Sequence, residues 1–98
     1  MSHKITLTPT ALNDLQEAID YYNAQQQGLG RKFENSIHDT FLKISNMPQS
    51  ASFAYDTVRY KVVNKFPFII TYEALHETIV ILRIFNHHQD PDQLSNEY

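Results

Sequence analysis

Val58-Arg59-Tyr60-Lys61-Val62-Val63, Phe66-Pro67-Phe68-Ile69-Ile70-Thr71-Tyr72-Glu73 and Thr78-Ile79-Val80-Ile81-Leu82-Arg83-Ile84-Phe85 are the three runs whose reading decides the fold of this chain. β-branched and aromatic residues dominate all three, and Asn64-Lys65 and Ala74-Leu75-His76-Glu77 between them are short enough to be hairpin turns. The expectation is an antiparallel meander. In the last run both faces are apolar: Val80, Leu82 and Ile84 alternate with Ile79, Ile81 and Phe85, and Arg83 is set into the second group. One of these faces needs a cover.

On the amino-terminal side, Ile5 and Leu7 alternate with polar residues as a short first strand. Thr8-Pro9 supplies an N-cap followed by proline at the first helical position, where a missing N–H costs nothing. Leu12, Leu15, Ile19 and Tyr22 then recur at helical spacing, and Gln25-Gln26-Gln27-Gly28-Leu29-Gly30 interrupts them. Phe33, Ile37, Phe41 and Ile44 form a second stripe that Pro48 must end. A polar connector, Gln49 to Ser52, leads through Phe53-Ala54-Tyr55 into the sheet residues. The order is β-α-α-β-β-β, an α+β chain. Two helices with one apolar stripe each are buried most economically as a hairpin on one face of the antiparallel sheet, giving two layers and leaving the other sheet face open. If the helices cover Val80, Leu82 and Ile84, then Ile79, Ile81 and Phe85 form an exposed patch around Arg83 of the kind that marks a partner, the alternative being that the tail from Asn86 to Tyr98 folds back over them.

Ninety-eight residues allow one domain with one core, here spanning 1–98, with 87–98 expected as a flexible tail. The chain has no cysteine, which removes disulfides, thiolate ligands and thiol nucleophiles and fits a reducing cytoplasm. Neither a signal core nor a run of about 18 apolar residues occurs, so the expected location is cytoplasmic, without membrane contact. A formal charge of −3 provides no global attraction to nucleic acid. Locally, Arg59, Lys61 and Lys65 fall together without an intervening acid, whereas Asp14, Glu17 and Asp20 make the first helix acidic. A solvated strand surface is the ordinary meaning of such a cluster.

A metal-independent ribonuclease needs a base, an acid and one or two arginines on one surface. Arg59, Arg83 and His87 are the catalytic candidates of the right type, with Lys61, His88, Tyr55 and Tyr60 beside them in kind. Alternation along adjacent strands would place Arg59 and Arg83 on one open face. His87-His88 points to opposite sides of a strand and has no carboxylate or third histidine at ligand spacing, so no metal is expected. With only Gly28 and Gly30 there is no phosphate loop, and no cofactor is expected.

Taken in order, Ala11 to Tyr22, Gly30-Arg31-Lys32-Phe33, Val58-Arg59, Phe66 to Tyr72, and Ile81-Leu82-Arg83-Ile84-Phe85 leading to Gln89-Asp90-Pro91 resemble the RelE/ParE superfamily of toxins from bacterial type II toxin–antitoxin systems. The likeness is greatest to its ParE-like, or plasmid stabilisation, branch. It implies a helical hairpin on an antiparallel sheet, a cognate antitoxin whose carboxyl-terminal segment wraps the toxin, and a hetero-oligomeric toxin–antitoxin complex. It also implies inhibition of DNA gyrase by binding; the alternatives are a RelE-like ribosome-dependent mRNA endoribonuclease and an inactive member kept as a binding module. Many relatives carry histidine directly after the Ile-Phe pair, where this chain has Asn86, a difference that weighs against histidine catalysis. Within that reading, the apolar run Ile79, Ile81 and Phe85 with Arg83 set into it is expected to meet the antitoxin, and the basic residues Arg59, Lys61 and Arg83 to meet the target.

Overall fold

The computed structural model describes residues 3–87, so the tail expected from residue 87 lies, beyond His87, outside the described residues. The elements follow as β1 (Lys4–Leu7), α1 (Pro9–Gln25), α2 (Leu29–Asn46), β2 (Phe53–Tyr55), β3 (Val58–Val62), β4 (Phe68–Ala74) and β5 (Thr78–Asn86). The β-α-α-β-β-β order is present, with β2 added as a three-residue edge strand ahead of the meander. Five strands form one sheet in the order β1-β5-β4-β3-β2, and the helical hairpin lies on one face. β2, β3, β4 and β5 run antiparallel to their neighbours, but β1 pairs parallel to β5 from Lys4↔Thr78 to Leu7↔Ile81. A parallel pair needs a long crossover, and the chain between β1 and β5 supplies it.

Thr8 caps α1 as its sequence predicts: its Oγ1 accepts from the Ala11 N–H at 3.0 Å, and Pro9 occupies the first turn. The buried side of α1 is rotated from the expected one. Ala11 and Ala18 are buried, Leu15, Ile19 and Tyr22 pack partly against the core, and Leu12 is exposed. Two alanines let α1 lie close to its neighbours, a preference that counting large apolar residues does not register. On α2, Phe33, Ile37 and Ile44 are buried and Phe41 packs against them, as the stripe requires.

Gly28 starts α2 in the left-handed region, at φ 88°, and offers no side chain to cap it. Asn23, at the end of α1, replaces that cap: its Oδ1 accepts from the Gly30 N–H at 2.9 Å. A Cβ at position 30 would stand 2.6 Å from the Asn23 side chain, so any larger residue there would push this cap aside.

A β-bulge decides which residues of β5 face the helices. Thr71 pairs with Arg83 and Tyr72 with Ile81, leaving Leu82 as an extra residue on β5. Ile79 and Ile81 therefore point at the helices before the bulge, and Ile84 does so after it, all three in the core with Ile70 and Tyr72. This corrects the expectation of an exposed patch: Ile79 and Ile81 are fully buried against the hairpin, and Phe85 is buried on the opposite face. Ile84 is covered by the helices as expected, whereas Val80 and Leu82 are half-buried. Alternation defines two faces but does not label them, and one inserted residue exchanges the labels.

Candidate functional site

The expected site residues fall into two clusters, one at each side of the sheet. The first lies where β1 ends. β1 stops pairing at Leu7↔Ile81, so the edge of β5 beyond Ile81 loses its strand neighbour while the chain turns into α1. Residues at the start of α1 take over its hydrogen bonds. The Thr8 N–H donates to the Ile81 carbonyl at 3.0 Å, and the Thr8 hydroxyl donates to the Leu82 carbonyl at 3.0 Å. Asp14, six residues further on, accepts at Oδ2 from the Ile84 N–H at 3.0 Å. The same carboxylate grips Arg83 in a fork, with Nε at 2.8 Å from Oδ2 and Nη2 at 3.2 Å from Oδ1. The Asp14 side chain is 12% exposed and that of Arg83 34%. The bulge residues are thus splinted to α1 by one hydroxyl and one carboxylate.

The second cluster sits where α2 hands over to β2 and β3. The Arg59 guanidinium lies over the Phe53 ring, 3.9 Å from its centroid, and Nη1 donates to the Ala51 carbonyl at 2.6 Å. Arg59 pairs across the sheet with Tyr72, whose buried hydroxyl donates to the Pro48 carbonyl at 2.7 Å. Burial pushes the Tyr72 hydroxyl above the usual tyrosine pKa of 10.0, and the nearby Arg59 charge opposes that shift. Lys61 is two residues on from Arg59, on the same sheet face and half-buried. Phe53 is the exposed aromatic of this edge.

The two guanidinium groups are not brought to one face. β4 separates β3 from β5, and Arg59 stands in the register of Tyr72 while Arg83 stands in that of Thr71, the alternate position. His87, at the end of β5, donates its backbone N–H to the Pro67 carbonyl at 3.1 Å. His88 lies outside the described residues. Among the described residues no group of three or more His, Asp or Glu could hold a metal ion, and no helix is long and apolar enough to cross a membrane.

The bonds of Asp14 and Thr8 to the β5 edge have no signal in the sequence. Asp14 was one of several acids on a polar helix surface, and its partner Arg83 is 69 residues away, so no local pattern marks the pair. Thr71, facing the bulge, is buried, and its Oγ1 has no hydrogen-bond partner among the described residues.

A helical hairpin on a mixed five-stranded sheet with this strand order defines a RelE/ParE-like protein. The family model for the ParE toxin of type II toxin–antitoxin system, parDE, matches residues 5–91, and the chain belongs to that family. It is a component of a ParDE-type toxin–antitoxin system, with a cognate antitoxin implied as partner. Among solved structures, a chain of the chromosomal ParDE TA system from P. aeruginosa superimposes with a TM-score of 0.75 at 21% identity, covering 87% of this chain and 96% of that one. At that identity the likeness speaks for the fold. A comparison with curated proteins finds no match.

Proposed function

We propose that this chain is a toxin that acts by binding and inhibiting a topoisomerase of the gyrase type, and that its antitoxin neutralises it by occupying the toxin surface. The observation that carries the binding reading is the separation of Arg59 from Arg83. Metal-free RNA cleavage requires convergent cations together with an acid and a base around one phosphate. Here one arginine is committed to the Ala51 carbonyl and the Phe53 ring, and the other to Asp14. The formal charge of −3 also supports a protein target over a polyanion. Arg59 with Phe53, and Lys61 on the same strand, are the side chains this reading assigns to the target. Arginine beside an exposed aromatic is the composition that carries energy at protein interfaces.

The deciding experiment adds purified toxin to a DNA supercoiling reaction with purified gyrase, in parallel with ribosome-bound mRNA. Loss of supercoiling with intact message is the expected result. Codon-positioned cuts in ribosome-bound message with supercoiling unaffected would overturn the reading in favour of an endoribonuclease. Unaffected supercoiling together with intact message, in the presence of folded toxin, would make the chain a binding module.

A further inference from the structure

The two arginines of the candidate site differ in what their guanidinium groups meet. Arg83 turns its Nε and Nη2 edge to the Asp14 carboxylate and is neutralised within the fold. Arg59 is fixed without a charge opposite it: Nη1 donates to the Ala51 carbonyl at 2.6 Å, and the guanidinium carbon lies 3.9 Å from the centroid of the Phe53 ring. Among the described residues neither Arg59 nor Lys61 is bonded to a carboxylate, and the Nε and Nη2 edge of Arg59 makes no hydrogen bond. That edge is the one with which Arg83 grips Asp14. An arginine held by a carbonyl and a ring has given up its rotamer freedom before any partner arrives, which removes part of the ordering cost of binding.

We propose that Arg59 and Lys61 form a receptor for two carboxylates, carried on alternate residues of an extended acidic segment of the target protein. That the occupant is the target rests on the function proposed above; the carboxylate chemistry rests on the geometry. Register puts both side chains on the helix side of the sheet, since Arg59 pairs with Tyr72 and Lys61 with Ile70, both core residues. Two residues of a strand span about 6.8 Å, which is also the spacing of alternate side chains in an extended segment lying along β3. The free edge of Arg59 fits one carboxylate in two parallel bonds, and the Lys61 ammonium takes the next as a point charge. Phe53, 55% exposed and in the same cross-strand row as Arg59, adds an apolar surface at the arginine end. The formal charge of −3 repels a long polyanion, whereas a short acidic segment meets only this local pair of cations.

The test titrates isotope-labelled full-length protein, at one ionic strength, with the peptide Thr-Asp-Thr-Asp-Thr, its Asn-for-Asp analogue and the adjacent-acid peptide Thr-Asp-Asp-Thr-Thr. The first should bind about fivefold more tightly than either control, and the Arg59 Nε–H and Lys61 resonances should move. Arg59→Lys, which keeps the charge and loses the fork, and Lys61→Gln should each weaken binding about fivefold, with the unfolding midpoint of Lys61→Gln unchanged. An excess of the first peptide should also relieve inhibition in the supercoiling reaction. Equal binding of the three peptides, or wild-type binding by both variants, would overturn the proposal. Selective peptide binding by a toxin that leaves gyrase untouched would keep the carboxylate receptor and sink the gyrase reading instead. Displacement of the antitoxin by the peptide, without relief of gyrase inhibition, would overturn the assignment of the receptor to the target.

Discussion

Replacing Asp14 with alanine tests whether the α1 splint holds the bulged end of β5. Two losses combine. The Ile84 N–H would lose its acceptor at a strand edge that β1 has already left, and an unsatisfied backbone donor costs about 1–3 kcal/mol where water cannot reach it. The forked contact with Arg83 would also go. Hydrogen bonds between charged groups contribute about 1.5–3 kcal/mol when buried, but Arg83 is 34% exposed, so solvent reduces its share to about 1 kcal/mol. Asp14→Ala should therefore destabilise the domain by about 2–4 kcal/mol. In urea, where a small domain loses about 1 kcal/mol per molar, the midpoint should fall by about 2 M or more with an unchanged slope. Asp14→Asn should lie between, because an amide oxygen can still accept from Ile84 while the NH2 group cannot serve Arg83. A double-mutant cycle with Arg83→Ala should give a coupling of about 1 kcal/mol. If Asp14→Ala shifts stability by less than about 0.5 kcal/mol, the splint is incidental and the bulge is held by packing alone. The same geometry bears on function: a loss of toxicity in Arg83→Ala must be compared with Asp14→Ala before it is credited to target binding.

Ile37→Ala should cost about 2–5 kcal/mol, since the side chain is fully buried between helix and sheet, whereas Leu12→Ala on the exposed side of α1 should stay within about 0.5 kcal/mol; equal effects in thermal melts would contradict the observed rotation of the helix. Gly30→Ala should destabilise by about 1–2 kcal/mol, because the new methyl displaces the Asn23 side chain from the Gly30 N–H; Asn23→Ala should cost a similar amount, and the double variant less than the sum, which chemical denaturation can read. Burial raises the Tyr72 pKa, so above pH of about 10 the unfolded chain gives up this proton before the folded one does, and stability falls as pH rises toward the folded value. Tyr72→Phe should flatten that alkaline loss while lowering stability near neutrality through the orphaned Pro48 carbonyl; an unchanged alkaline slope would show that another group dominates.

Local pattern specified much of this protein. The Thr8-Pro9 start of α1, the Phe33-Ile37-Ile44 stripe, the stop before Pro48 and the three meander strands were all legible, because caps, helical periodicity and β-branched runs act over a few residues. The ordered pieces from Ala11 to Pro91 also carried the family resemblance, which the family match over 5–91 bears out. The tertiary structure decided the rest. Which face of β5 met the helices depended on one bulged residue, Leu82, and that residue moved Ile79 and Ile81 from an imagined docking patch into the core. The parallel pairing of β1 and the partnership of Asp14 with Arg83 depend on where chain segments far apart in sequence come together. Periodicity records that a strand has two apolar faces; only packing determines which one the helices take, and which charged side chains then find each other.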